Sequence, residues 1–588
     1  MNRPCPWLAP KRQNGWKPTS RYTVEEYEFQ RETKVLDQVW TDAAIRYCLQ
    51  NGIDHFFLAP GSRCTPLTLA VARNENAHVI QHFDERGLAF AALGYARATG
   101  KPGIFICTSG TAVANAFPAV IEAASEGLPM LLWTADRPEE LRGSGPNQTI
   151  DQRNLFGDYP SDFIDLAVAE DQDTPEDPRG HEYLRQALQR IVAASKSGPA
   201  HLNWMFREPF SIVEPDSTRS VWSFDIEPET APPSTTIQLS GKVLIALGDC
   251  RPEEASQVLS LAKEIGAPVL SDITSGVKGL SFELPAEFSL PRPDTILHLG
   301  GRIVSKSWLQ WTKSLFQQPV DFIHVTPSGR CINPNGLPQR QIHAPLSSLR
   351  IQHEDPAGQD SFTARWLRAG AEREQVLHNY FGDQDDFSEP AIAYALSQIC
   401  PQSDGLFIGN STPIRDMDWY GDRQQNENSA QSVRLISANR GASGIDGLLA
   451  TASGYAAGLK SQTTVVVGDL SALHDLNSLA LVAKSSWPLI VIVINNQGGH
   501  IFDLLPIRES QHFETFFNTP HEIEFQHAAN MFGIEYRSIS EMDDFRKVYR
   551  EAIEGNQAIL LELKTERARN VAVRKQIAEA IHECSESL

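Results

Sequence analysis

Basic residues are scarce in this chain: 52 Lys and Arg stand against 73 Asp and Glu, a formal net charge of −21. So acidic a surface repels phosphate backbones and anionic headgroups, which argues against nucleic acid or an acidic membrane surface as a partner. Cysteine is sparse too. Eight are scattered over 588 residues with no CxxC pair, a pattern of reduced thiols in a cytosol rather than a disulfide frame or a zinc site. The longest apolar run, near residues 489–494, is far too short to span a bilayer, so no integral membrane segment is expected. Short internal repeats are missing, and the glycines of the middle region never form GxGxxG. No nicotinamide or flavin dinucleotide is expected there. The first 21 residues hold five basic residues and no acidic one, but they lack the apolar stretch of a secretory signal. A disordered basic tail is expected, with an organelle transit peptide as the alternative, and a cytoplasmic location.

What the chain has is strand–helix–strand rhythm, repeated. Its length suits three domains, or four, and the rhythm predicts an α/β fold of three doubly wound domains with mainly parallel sheets. The expected order is an extension at 1–32, a domain at 33–212, a Pro- and Ser-rich linker at 213–239, a smaller domain at 240–351, a polar linker at 352–386 and a last domain at 387–588. The first and last domains are similar in size and rhythm, which points to distant kinship.

The densest signal lies in the last domain. The strand TTVVVGD ends in Gly468-Asp469, a helical stretch carries Leu473, Leu476 and Ala480 on one face, and the strand LIVIVI ends in Asn495-Asn496. A crossover makes such strands parallel neighbours, with both polar signals at their carboxyl ends. Asp469 and Asn496 then converge as hard oxygen donors of the kind Mg²⁺ takes, and the helix beginning just after Asp469 aims its N-terminus at the same spot. A metal beside a helix N-terminus suits a diphosphate. The alternative is a βαβ unit whose polar residues merely cap its loop.

Other candidates gather at strand ends. Ser62 and Arg63 follow a strand in a tight Pro-Gly-Ser turn, where the cation meets an anion or solvent. Glu85 opens an Ala-rich helix that Gly100 stops; its bland role is to complement the helix dipole. Arg137 and Gln148 belong to a later polar loop. Lys306 follows the GGRIVS turn of the middle domain, a place where a single Lys is more often surface than site. Ser411, Arg415, Arg440 and Ile445 lie ahead of the GD…NN element; Ile445 read alone is core filling.

The GD-x25-NN spacing resembles the metal–diphosphate signature of thiamine-diphosphate enzymes, with GDL here in place of the usual GDG. Further segments carry a narrower resemblance: PGSR (60–63), HFDERGLAFAALG (82–94), TSGTAVANAFPAVIEA (108–123), TADRP (134–138), NRGASGIDGLLATA (439–452), GDLSALHDLNSLAL (468–481) and NNQGGHIFDLLP (495–506). Together they look like the 2-succinyl-5-enolpyruvyl-6-hydroxy-3-cyclohexene-1-carboxylate synthase family, in which GDL is the usual form. That family is a thiamine-diphosphate-dependent one of menaquinone and phylloquinone synthesis.

The resemblance implies the thiamine-diphosphate-enzyme fold, with pyrimidine-binding, central and diphosphate-binding domains. It implies thiamine diphosphate and Mg²⁺ (Mn²⁺ as an alternative ion), and a homodimer or dimer of dimers. Asp469, Asn496 and the Gly498 carbonyl would hold the metal. Gly468, Leu470 and Ile445 would contact the cofactor, and Ile501, Phe502 and Leu505 would wall it off from water. Glu85 would act at N1′ of the aminopyrimidine. Ser411, Arg415 and Arg440 would face the succinyl carboxylate of 2-oxoglutarate, while Ser62, Arg63, Arg137, Gln148 and Lys306 would face isochorismate. Ser307 stands where relatives often carry an Arg after that Lys. Another decarboxylase or carboligase, of acetolactate-synthase type, would share Glu85, Asp469 and Asn496 without needing the arginines.

Overall fold

The computed structural model describes residues 24–169, 178–208, 210, 224, 233–315, 320–328, 330–354, 356–382, 385–423 and 433–586. Three parallel sheets organise them. The first joins β1 (His55–Leu58), β2 (His78–Gln81), β3 (Gly103–Cys107), β4 (Met130–Asp136), β5 (Asp162–Leu166) and β6 (Pro199–Met205) in the order β2-β1-β3-β4-β6-β5. The middle region has β7 (Thr235–Ser240), β8 (Val243–Leu247), β9 (Val269–Ser271), β10 (Thr295–Leu299), β11 (Asp321–Thr326), β12 (Arg340–His343) and β13 (Leu349–Glu354). Five of these form the sheet β12-β11-β10-β8-β9, and β13 pairs separately with β7. The last sheet runs β15-β14-β16-β17-β19-β18, with β14 (Gly405–Ile408), β15 (Leu435–Ser437), β16 (Thr463–Gly468), β17 (Leu489–Asn495), β18 (Glu535–Ile539) and β19 (Ile559–Lys564).

The first and last sheets therefore have the same strand order, position for position. Their central strands read as unbroken apolar runs because helices cover both faces; every residue of β3, β4 and β17 is buried. Among the described residues no helix is long and apolar enough to cross a membrane.

The two topologically equivalent halves are pressed together through crossed helices, Glu85–Thr99 and Leu448–Leu459. Gly94 and Gly454 are the reason they approach so closely. A Cβ on Gly94 would sit 1.9 Å from the Thr451 carbonyl oxygen, and one on Gly454 would sit 1.8 Å from that of Ala91.

Four expectations need correction. The first helix runs Val24–Gln50 and begins before Thr33, so the expected extension at 1–32 is helical from Val24; its earlier part lies outside the described residues. The linker at 213–239 falls mostly outside them as well, and its end forms β7. The polar linker at 352–386 contains a 23-residue helix, Gln359–Phe381, that buries Phe362, Trp366, Leu377 and Phe381. Finally, the stretch after Asp469 is not one helix. It divides into Asp469–His474, a 3₁₀ turn at Leu476–Ser478, and Leu479–Lys484. The break falls at Asp475, whose buried carboxylate leaves the helix path to accept the Ala450 N–H at 3.0 Å and the Ser478 hydroxyl at 2.7 Å.

Candidate functional site

Register places the central element as expected. β16 and β17 pair in parallel, Val465 opposite Val491 and Gly468 opposite Ile494, so Asp469 and Asn496 emerge from adjacent carboxyl ends. Asp469 is buried; one carboxylate oxygen accepts the Leu470 N–H at 2.6 Å and the other the Gly498 N–H at 3.1 Å. Burial raises its pKa, opposed by those N–H groups and by His521, whose Nε2 lies 3.3 Å away. Asn496 donates Nδ2–H to Glu389 at 2.6 Å, and its Oδ1 is buried with no hydrogen-bond partner. The Gly498 carbonyl accepts the His500 N–H at 3.0 Å. At Gly468, by contrast, a Cβ would meet nothing within 4 Å.

An orphaned amide oxygen and a carboxylate at adjacent strand ends, next to the open backbone of Gly468, are oxygen donors of the kind that a Mg²⁺ carrying further oxygen ligands takes. The residues fit the implied metal and diphosphate. Among the described residues no group of three His, Cys, Asp or Glu side chains is placed to hold a metal. The expected helix N-terminus is present only as the six-residue Asp469–His474 turn, so fixed oxygen donors rather than a long dipole dominate.

A second cluster lies at the end of β14. Ser411 has a left-handed φ of 76°, rare for a non-glycine residue, and begins the Thr412–Tyr420 helix. Its carbonyl accepts Nη1–H of Arg415 at 2.6 Å. Burial lowers the pKa of Arg415, and the positive charge of Arg440 lowers it further. Arg440 donates to Asn410 Oδ1 at 2.6 Å. Its loop is clamped from the first domain: Glu126 accepts the Arg440 N–H at 2.9 Å, and Glu122 accepts those of Gly441 and Ala442 at 2.8 and 2.6 Å. Arg97 lies buried between these two carboxylates. Burial still pushes Glu126 up to about 8.

The third cluster sits at the carboxyl ends of the first sheet. Arg63, 5% exposed, donates to the Phe206 carbonyl at 2.8 Å and pairs with Glu208. Its pKa is lowered by burial, raised by Glu208 and lowered by Arg137. Arg137 donates to Ser109 Oγ and to the Gln148 carbonyl, both at 2.5 Å, while Gln148 Nε2 reaches the Ser109 carbonyl at 3.0 Å. Arg137 and Gln148 thus form one unit around Ser109, while Arg63 is held separately by Phe206 and Glu208, with Ser62 exposed next to it in sequence.

Glu85 is half-buried at the first turn of its helix. The helix is capped by Asp84, which accepts the Arg86 N–H, so capping is not Glu85's task. Its charge adds to burial in raising the pKa of Cys64, which follows the turn after β1, and of Cys107, the last residue of β3. No hydrogen bond or ion pair joins Glu85 to Asp469 or Asn496 within the chain. Instead Arg86 and Asp84 contact His474, at the far end of the Asp469–His474 helix, and Asn477 beyond it.

The remaining candidates are less gathered. Ile445 and Leu505 are 40% and 41% exposed, whereas Leu470, Ile501 and Phe502 are half-buried; Phe502 meets Phe517 edge-on. Lys306 is exposed and joins none of the clusters, and Ser307 donates to Glu283 at 2.5 Å rather than facing a site. Sequence reasoning passed over Ser109, Glu122, Glu126, Asn410, Glu389 and His521. Of these, Asn410, closing the strand GLFIGN, and Ser109, in the Ser-Gly turn after β3, carried a signal of the kind used for the others.

Comparison with known proteins identifies the family. Family models match in three consecutive places: the N-terminal TPP-binding domain of thiamine pyrophosphate enzymes at 40–155, their middle domain at 234–408, and their C-terminal TPP-binding domain at 428–563. Similar curated proteins include the 2-succinyl-5-enolpyruvyl-6-hydroxy-3-cyclohexene-1-carboxylate synthases of Chlorobium phaeobacteroides (strain BS1), 38% identical across 92% of this chain and 97% of that protein. That of Rubrobacter xylanophilus is 34% identical across 92% and 98%, and that of Salinibacter ruber 34% across 93% and 97%. With thiamine-diphosphate domains throughout and relatives matched almost end to end, the chain belongs to the 2-succinyl-5-enolpyruvyl-6-hydroxy-3-cyclohexene-1-carboxylate synthase family.

Proposed function

We propose that the protein decarboxylates 2-oxoglutarate and joins the resulting succinyl carbanion equivalent to isochorismate, releasing CO2, as a step of isoprenoid-quinone synthesis. The observation that carries this reading is the pairing of like charges in an acidic chain. At the last sheet Arg415 and Arg440 are bonded to consecutive residues, Ser411 and Asn410, and the charge of Arg440 lowers the pKa of Arg415; at the first, the charge of Arg137 helps lower that of Arg63. Crowded guanidiniums are stabilised when a carboxylate arrives, and both substrates are dicarboxylates. An enzyme of acetolactate-synthase type, acting on monocarboxylates, needs neither pair.

Bound thiamine diphosphate supplies the electron sink for decarboxylation. Asp469, Asn496 and Gly498 hold Mg²⁺ and through it the diphosphate. Glu85 holds or moves a proton at N1′ of the aminopyrimidine. Arg415, with Ser411 and Arg440, binds the far carboxylate of 2-oxoglutarate. Arg63, Arg137 and Gln148, with Ser62, orient isochorismate. Ile501, Phe502, Leu505 and Ile445 exclude water from the reacting carbon.

Exposed apolar side chains mark where a second chain completes the site. Phe83, two residues before Glu85, is 59% exposed, and Ile445, Leu504 and Leu505 are each about 40% exposed. A homodimer, in which Glu85 of one chain serves Asp469 and Asn496 of the other, covers all four. The site needs no membrane, and the enzyme acts in the cytoplasm. The test is isochorismate consumption by purified protein. It should require thiamine diphosphate, a divalent cation and 2-oxoglutarate together, and pyruvate should not replace the oxo acid; consumption with pyruvate would refute the reading.

A further inference from the structure

Asn496 is the one expected metal ligand whose usefulness depends on which way its side chain faces. Rotated by half a turn, the amide would present hydrogens to a cation. In this chain Glu389 makes the choice. Glu389 is 5% exposed at the first turn of the Glu389–Ile399 helix, and as a carboxylate it only accepts hydrogen bonds. Its Oε1 takes the Nδ2–H of Asn496 at 2.6 Å and that of Asn570 at 2.9 Å, while Oε2 takes Nη2–H of Arg574 at 2.7 Å. Asn570 closes the ring by accepting the Glu389 backbone N–H at 2.9 Å. A reversed Asn496 would set two acceptors face to face. The orientation that remains leaves Oδ1 buried and unpartnered, an arrangement that a folded protein keeps when a ligand supplies the missing partner.

We propose that Glu389, held by Asn570 and Arg574 of the Arg567–Glu586 helix, is a positioning residue that locks the Asn496 amide with its oxygen toward the Mg²⁺–diphosphate site. This rests on the thiamine-diphosphate reading above and adds to it a role for the C-terminal helix. The same Arg574 also bonds Asp416, at 2.5 and 3.2 Å, so one guanidinium braces both the metal ligand and the helix that carries Arg415.

The experiment is a calorimetric titration of thiamine diphosphate into protein at graded Mg²⁺, with melting temperature measured alongside. Glu389→Gln should raise the Mg²⁺ needed for half-saturation by roughly 10- to 100-fold, the usual effect of losing a group that orients a ligand. Asn496→Asp should do the same, because its carboxylate faces that of Glu389. The double variant lets a Gln amide donate to the new carboxylate and should recover to within about tenfold of the unmodified protein. An unchanged Mg²⁺ requirement in Glu389→Gln, or additive losses in the double variant, overturns the proposal whatever the melting temperature does. If Glu389→Gln fails to fold, Asn570→Ala, which removes one donor from the same oxygen, should shift the requirement severalfold; no shift overturns it. Unmodified protein that binds no thiamine diphosphate at any Mg²⁺ level refutes the cofactor reading itself, and the proposal with it.

Discussion

Replacing Arg415 with Ala tests how the chain tells 2-oxoglutarate from pyruvate. In the structure Arg415 commits Nη1 to the Ser411 carbonyl, leaving Nε and Nη2 for a substrate carboxylate. Loss of one charge-assisted contact of ~2–3 kcal/mol lowers kcat/KM for 2-oxoglutarate roughly 30- to 150-fold. Pyruvate lacks that carboxylate, so its poor use should hardly change, and the selectivity ratio falls without any new contact to pyruvate. Stability should move little, because Arg415 makes no ion pair among the described residues and the lost hydrogen bond contributes about 1 kcal/mol. The assay is kcat/KM for both oxo acids with isochorismate saturating, with melting temperature as control. Equal losses for both acids together with a lower melting temperature would make Arg415 a structural residue, and no loss for either would make it a surface charge. Either result refutes the reasoning.

Glu85→Gln should abolish turnover while thiamine diphosphate affinity stays within roughly tenfold, about 1.4 kcal/mol, as measured by calorimetry; retained turnover would return Glu85 to a helix-dipole role. Mixing inactive Glu85→Gln with inactive Asp469→Ala protein under conditions of subunit exchange should restore activity, because one hybrid site then carries both native residues. No recovery despite proven exchange counts against the shared site. Asp475 gives a pH prediction. Burial pushes its carboxyl from 3.8 up to about 6, so the folded state holds the proton more tightly than the unfolded one, and stability is lost as pH rises from about 4 to about 6. Asp475→Asn should therefore gain on the unmodified protein across that window, by up to ~3 kcal/mol, then run parallel above it. A difference that does not vary with pH would show the carboxyl to be ionised throughout.

Local signals made much of the fold legible. The helix Glu85–Thr99 ends where Gly100 adopts φ 67°, and Pro252–Ile265 ends at Gly266 with φ 65°; Gly at a left-handed stop reads directly from sequence. Failures came where distant contacts override local pattern. Nothing near Asp475 signals the Ala450 N–H that breaks its helix. The Gln359–Phe381 helix was hidden by its polar surface, although Phe362, Trp366, Ala369 and Leu377 keep helical spacing. In the site, Asp469, Asn496 and the arginines stood out because strand ends and glycine turns flag them. Glu389 did not. Its partners Asn496, Asn570 and Arg574 are 107, 181 and 185 residues away, and a lone Glu at a helix start looks like any first-turn acid.

The most direct test of the proposed reaction follows the carbon atoms. Protein with thiamine diphosphate and Mg²⁺ is given isochorismate and 2-oxoglutarate labelled separately at carbon 1 and carbon 2, and CO2 and products are read by mass spectrometry. The expected result is one carbon-1 label released as CO2 for each isochorismate consumed, with the carbon-2 label joined to the ring-bearing product. Labelled CO2 with isochorismate untouched would leave a simple decarboxylase and contradict the carboligation proposed here.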